Sequence, residues 1–206
     1  ITNIVFMGMG EPLLNYANVL KTINLLTDDL AFGLARRRVT VSTSGIIPEI
    51  DRLKKDTNVS LAISLHASNN ELRNSIVPIN RSYPMVDLLA ACKRFSEGRD
   101  DDAVTIEYVM LNDVNDSARD ARDLVKCLEG LPSKVNLIPF NKFPGTNYTC
   151  SDMNTINTFR DILMKAGIFT VTRKTRGDDI DAACGQLVGK VVSKSARHQK
   201  YKTEIV

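Results

Sequence analysis

The chain has 206 residues, 43% of them hydrophobic and 25% charged, with a formal net charge of +3. This length predicts about one domain, able to bury roughly 70% of its unfolded surface. The composition is that of a globular protein. No apolar run approaches a bilayer span, and the net charge is too small to establish a polyanionic partner by itself.

The chain opens on Ile1, not Met, and Ile4–Met7 already reads as a core strand, so an N-terminal portion is expected upstream. A helix follows, marked by Val19, Leu20, Ile23 and Leu26, with Asn15 or Asn18 near its start. A second strand over Val39–Ser42 leads to a weaker helical segment near Ile47–Lys54, and a third strand spans Val59–Leu65. Another short helical segment is expected at Asn70–Ile76. A longer helix carries Met85, Leu88, Leu89, Cys92 and Phe95 and ends near Gly98. Strands at Val104–Met110 and Val135–Pro139 flank a helix carrying Ala118, Ala121, Leu124, Val125 and Leu128. A last helix on Ile156, Phe159, Ile162 and Leu163 ends at Gly167. A strand over Phe169–Arg173 follows, and beyond it a helix over Ala182–Ser195 and a frayed end after His198 are expected. The strands are short, β-branched and nearly continuous in apolar character, which predicts parallel strands covered on both faces. Alternating strand and helix predicts an α/β fold with a parallel sheet, doubly wound or a barrel.

Polar residues follow nearly every strand: Gly8-Met9-Gly10-Glu11-Pro12, Ser42-Thr43-Ser44-Gly45, Ser64-Leu65-His66-Ala67, Asn112-Asp113 and Asn141. The carboxyl ends of parallel strands line one mouth, so these residues predict one polar rim. Further on, Cys184 stands between Ala183 and Gly185 in a stretch with three aspartates. So little bulk around a thiol suits a nucleophile or covalent carrier, or simply a surface-loop cysteine. The other cysteines are Cys92 and Cys127, in helical patterns and expected as small core residues, and Cys150. No CxxC pair occurs, so zinc-site spacing is absent. With no secretory signal, disulfides are not expected and a cytoplasmic location is the default.

The Gly8–Asn15 run, Ser42–Gly45, Ser64–Ala67, Pro139-Phe140-Asn141 and the block Arg173–Leu187 together resemble the radical S-adenosylmethionine (SAM) enzymes of the RlmN type, which methylate carbon 2 of adenine in 23S ribosomal RNA. The resemblance runs from about Val5 to Val188. It implies a partial (β/α) TIM-like barrel of the radical SAM type, parallel strands with outer helices and the first βα unit missing. Residues 1–188 would form the partial barrel with a C-terminal methyl-carrier loop, and residues 189–206 a basic tail. The family's CxxxCxxC loop for a [4Fe–4S] cluster is not in this sequence, nor are its resolving cysteine and glutamate proton acceptor. No metal ligand is therefore assigned here. The cluster and its electron donor belong to the full-length protein, and the fragment alone is expected to be inactive.

The resemblance implies that SAM methylates Cys184, that a second SAM yields a radical taking hydrogen from that methyl group, and that the resulting carbon radical adds to the base. Gly10 and Glu11 would meet the methionyl end of SAM, Glu11 balancing its ammonium. Ser42 and Ser64 suit the carboxylate or ribose, Leu65 and His66 the sugar or adenine, and Asn141 the adenine edge. Each also has a plain reading: Glu11 as an extended residue before proline, Ser42 and Ser64 as hydroxyls bonded to backbone, His66 as a satisfied rim histidine, Asn141 as a loop residue.

The implied partner is ribosomal RNA, with transfer RNA open as a second substrate and no membrane. Arg36–Arg38, Lys54-Lys55, Arg173, Lys174, Arg176 and the tail Lys190–Lys202 are basic clusters, read as solvated ends or together as an RNA-facing side. Three other functions stay open at this point: methylation of adenine carbon 8, as in Cfr-type enzymes, a non-catalytic RNA-binding module, and a different radical SAM enzyme with a carrier cysteine.

Overall fold

The computed structural model describes residues 1–8, 10–99, 103–143 and 145–173. Six strands form one sheet: β1 (Ile4–Phe6), β2 (Val39–Thr43), β3 (Ser60–Ser64), β4 (Val104–Met110), β5 (Ser133–Pro139) and β6 (Phe169–Thr172). All neighbours are parallel and the spatial order equals the chain order. The helices are α1 (Tyr16–Thr27), α2 (Ile47–Asp56), α3 (Asn70–Ile76), α4 (Met85–Ser96), α5 (Ala118–Cys127) and α6 (Met153–Lys165). A strand order that never reverses, with crossovers of one hand, stacks the helices on one side and curls the sheet as a barrel wall. A doubly wound sheet would reverse its order at a switch point.

The strands are covered on both faces at the centre of the sheet, where Ser42, Ala62 and Glu107 are buried as well, but the two faces differ in chemistry. Along β2, β3 and β4 the residues alternate: Val39, Val41, Leu61, Ile63, Val104, Ile106 and Tyr108 lie in the buried core with helix residues such as Ile23, Leu53, Leu88, Leu124 and Phe159. The residues between them point the other way. Register puts Thr40 beside Ser60, Ser42 beside Ala62, Ala62 beside Thr105, Ser64 beside Glu107 and Glu107 beside Asn136. This second face is small and polar at its centre. Toward the two edges it carries Val5, Phe169 and Val171, all exposed.

The helices begin where local chemistry satisfies their free amides. Ser117 and Asp120 form a reciprocal capping box at α5, Asp152 accepts the amides of Asn154 and Thr155 at α6, and Asn69 accepts that of Leu72 at α3. Before α1 a short 3-10 turn, Pro12–Asn15, is capped by Glu11. The two weaker helical segments are both helices, α2 and α3. Cys92 is buried, Cys127 half-buried and Cys150 exposed. The expected helix over Ala182–Ser195, Cys184 and the tail 189–206 lie outside the described residues.

Gly45, just after β2, has φ of +116°, and a Cβ there would sit 3.0 Å from two methyl carbons of Leu88. Both the backbone and the space favour glycine. Replacing Gly45 with Ala is expected to lower stability by about 1–3 kcal/mol, read from urea unfolding.

Candidate active site

At the carboxyl ends of the strands lies a cleft of about 210 Å³. Its walls come from the loop after β1 (Gly8, Gly10, Glu11, Pro12), the end of β2 (Ser42–Ser44), Ser64 on β3, Glu107 on β4 and Arg173 just past β6. Four of the residues read from the sequence, Gly10, Glu11, Ser42 and Ser64, thus meet in one place. Leu65, His66 and Asn141 do not line this cleft.

Glu11 ties two rim loops together. One carboxylate oxygen accepts the Leu13 amide at 3.1 Å; the other accepts the Ser44 amide at 2.8 Å and the Ser44 hydroxyl at 2.7 Å. Charge-assisted bonds of this kind are the strong ones. Gly10 holds φ of +85°, with open space where a Cβ would stand. Its turn, not crowding from the protein, calls for glycine.

Arg73 on α3 is fully buried and was not singled out by the sequence. Its Nε donates to the Leu65 carbonyl at 3.1 Å, Nη2 to the carbonyls of Ser44 at 2.7 Å and Ser64 at 3.1 Å, and Nη1 to Asn80 Oδ1 at 2.8 Å. One guanidinium therefore fastens the ends of β2 and β3. The fork geometry of arginine allows this; a lysine ammonium has no equivalent fork. Burial lowers its pKa to about 10, so it stays charged at neutral pH. Asn115 does the same work one strand along. Its side-chain amide donates to the carbonyls of His66 at 2.8 Å and Val109 at 2.7 Å, and its Oδ1 accepts the Leu111 amide at 2.8 Å.

His66 adopts a left-handed backbone, φ of 60°. Bonds on every side hold it there: its amide donates to the Glu107 carbonyl at 3.3 Å, its carbonyl accepts from Asn115, and its Nδ1 accepts the Val109 amide at 3.1 Å. An accepting Nδ1 leaves the ring proton on Nε2. Burial first, and then the charge of Arg73, lowers its pKa to about 4. The neighbouring Leu65 is buried and engaged through both its amide and its carbonyl.

Glu107 is the second residue missed. It is a buried carboxylate on the polar face of β4, lining the cleft. Ser42 donates its hydroxyl to Oε2 at 3.3 Å. Burial raises the carboxyl's pKa, while Ser42, the charge of Arg173 and a hydrogen bond with Asn136 pull it back. The sequence signal for it was a lone acid inside a largely apolar strand, Val104–Met110.

The basic clusters among the described residues do not share one side; Lys174, Arg176 and the tail Lys190–Lys202 lie outside the described residues. Arg36–Arg38, all exposed, immediately precede β2, and Lys54-Lys55 end α2 just before β3. Since all strands run in one direction, both clusters sit at the amino end of the sheet, opposite the cleft. Arg173 stands at the carboxyl end. Asn141 is half-buried beyond the end of β5. Among the described residues, no three His, Cys, Asp or Glu side chains group to hold a metal ion, so the ligands of an iron–sulfur cluster are not found among them. Among the same residues no helix is long and apolar enough to cross a membrane.

Comparison with known proteins accords with this geometry. The model of the radical SAM superfamily matches residues 1–125. The chain belongs to that superfamily. Over its whole length it is 55% identical to the dual-specificity RNA methyltransferase RlmN of Alcanivorax borkumensis, and covers 54% of that protein. The crystal structure of a radical SAM methyltransferase from Sphaerobacter thermophilus superposes with a TM-score of 0.85 at 46% identity, over 90% of this chain and 55% of that one. A domain of a pyruvate-formate lyase-activating enzyme from Bacteroides vulgatus shares the fold, with a TM-score of 0.65 at 17% identity over 84% of this chain and all of that one. The chain thus spans about half the length of the RlmN relative it matches.

Two outcomes follow from the buried groups. The unfolded chain protonates His66 near pH 6.5 and the folded chain only near 4. Its contribution, about 3 kcal/mol at most, is therefore full above pH 6.5 and lost as the pH falls toward 4. In an NMR titration the His66 ring resonances should not move between pH 5.5 and 8. Replacing Arg73 with Met leaves three carbonyls and Asn80 without their donor. A loss of about 3–5 kcal/mol is expected by thermal or urea unfolding.

Proposed function

We propose that this chain is the SAM-binding and methyl-carrier part of a radical SAM methyltransferase that modifies adenine carbon 2 in ribosomal RNA, with transfer RNA as a further substrate. The observation that carries the reading is the cleft at the strand ends, where Gly10, Glu11, Ser42 and Ser64 converge. Its mixture of carboxylates, hydroxyls and one guanidinium suits a zwitterionic ligand that is also a nucleoside. The 55% identity to an RNA methyltransferase along the whole chain supports the same reading.

In this reading Gly10 and Glu11 receive the methionyl end of SAM, and Ser42 and Ser64 supply hydroxyls to its carboxylate or ribose. Leu65, His66 and Asn141 form the outer rim toward the sugar and adenine. His66, neutral with its proton on Nε2, offers a donor and adds no positive charge beside a sulfonium cation. Cys184 is the acceptor of the first methyl group: its thiolate forms the S–CH₃ bond as the sulfonium S–CH₃ bond breaks, and S-adenosylhomocysteine leaves. A thiolate is the nucleophilic form of cysteine, so this step needs the proton removed beforehand. When present in the full-length protein, a [4Fe–4S] cluster with a second SAM supplies the hydrogen-abstracting radical that an unreactive ring carbon demands.

The target adenine has to leave its stack to reach such a cleft. Arg173 stands at the cleft's own end of the sheet, and we assign phosphate contacts to it, and to Lys174 and Arg176 that follow it in the sequence, ahead of Arg36–Arg38. The test is Cys184→Ala in the full-length protein, with mass spectrometry of digested ribosomal RNA. Methylation at adenine carbon 2 should disappear while SAM binding persists. Methylation that survives the replacement removes the carrier role, and wild-type product carrying its methyl on carbon 8 assigns the Cfr-type reaction instead.

A further inference from the structure

Two carboxylates line the cleft, and they are held differently. Glu11 already accepts three protein donors, among them both the amide and hydroxyl of Ser44. It shapes the rim as much as it faces a ligand. Glu107 lies deeper, 6% exposed, in the centre of the polar face, in register with Ser64 on one side and Asn136 on the other. Its donors are the Ser42 hydroxyl, at a long 3.3 Å, and the Asn136 side chain.

A buried carboxylate needs a cation or several donors to remain charged. Arg173 lines the same cleft and attracts it. Glu107 lines the cleft, so the field of its carboxylate acts there. The two cationic groups of SAM differ in what they require. An ammonium has three N–H donors and wants acceptors in several directions. A sulfonium has no donor, so a protein can recognise it only through a negative field. A carboxylate whose hydrogen bonds come from a serine hydroxyl and an amide, with the cation of Arg173 on the same cleft favouring its charged form, meets the second need.

We propose that Glu107 is the specificity-determining group for the sulfonium charge, the residue by which the cleft tells SAM from its demethylated thioether product. This rests on the reading that the cleft binds SAM, and it gives Glu107 a part in product release. After methyl transfer the charge on sulfur is gone, the attraction to Glu107 lapses, and S-adenosylhomocysteine departs. Arg173 competes for the same carboxylate, which moderates the preference.

The experiment compares the full-length wild type with Glu107→Gln, which keeps the size and hydrogen-bonding capacity of the side chain and removes the charge. Binding of SAM and of S-adenosylhomocysteine is measured by equilibrium dialysis, with thermal unfolding to show that the variant folds. The wild type should prefer SAM. The variant should lose about tenfold or more in SAM affinity, equivalent to about 1.4 kcal/mol, with S-adenosylhomocysteine affinity changed by less than about twofold. Equal weakening of both ligands, or no weakening of SAM, overturns the proposal. If the variant does not fold, Glu107→Asp, which retains the charge, must preserve the preference for SAM, and its loss there overturns the proposal as well. A wild type that binds neither ligand refutes instead the underlying reading of the cleft, so the two failures are distinguishable.

Discussion

The structure depends on the two-residue period of its strands. Each strand sends alternate side chains to opposite faces, and in this sheet the two faces have different fates. Val39, Val41, Leu61, Ile63, Ile106 and Tyr108 go under the helices and form the core. Thr40, Ser42, Ala62, Ser64, Thr105 and Glu107, interleaved with them, form a surface of small and polar groups. A shift of one residue in any strand would exchange the two sets. Burial of the first set therefore fixes where the second must point, and the packing of the core is also the placement of Ser42, Ser64 and Glu107.

Alternation places side chains, but it does not hold the loops beyond the strand ends. Those are tied by a few polar groups that each bridge segments distant in sequence. Glu11 links the turn after β1 to Ser44 after β2. Arg73 links Ser44 to Ser64 and Leu65. Asn115 continues to His66 and Val109. Together they form a chain of ties running along the rim from β1 to β4. Arg73 has hydrogen-bond partners that are carbonyls and one side-chain amide, so its positive charge is balanced by dipoles. That charge then acts on its surroundings, adding to the burial that chiefly depresses the pKa of His66.

The site is consequently a set of fixed electrostatic features. A clamped carboxylate, a buried carboxylate and an arginine line the cleft, with a neutral histidine just beyond its lining. Preorganised dipoles and charges of this kind cost little reorganisation when a charged ligand binds. The separation of the basic clusters adds direction. Arg36–Arg38 occupy the amino end of the sheet, while Arg173 leads from the carboxyl end into the stretch that carries Cys184.

Much of the fold was legible in the sequence because it is written locally. Apolar runs, glycine stops and helical spacing marked all six strands and all six helices of the described residues, and the order of strand and helix indicated a parallel sheet. Gly10, Glu11, Ser42 and Ser64 were legible as a rim because strand ends in such a sheet must share one mouth. Arg73 and Glu107 were not, since each looks like an ordinary charged residue until its partners are known, and those partners lie on other strands. What Glu11 and His66 do was equally hidden. A carboxylate's role depends on which donors reach it, and an imidazole's charge on how deeply it is buried and what lies beside it. The sequence by itself determined the elements and their order through nearest-neighbour chemistry. Only the tertiary structure decided which face is polar, which loops are tied and which charged groups meet, because those depend on distances between residues far apart in the chain.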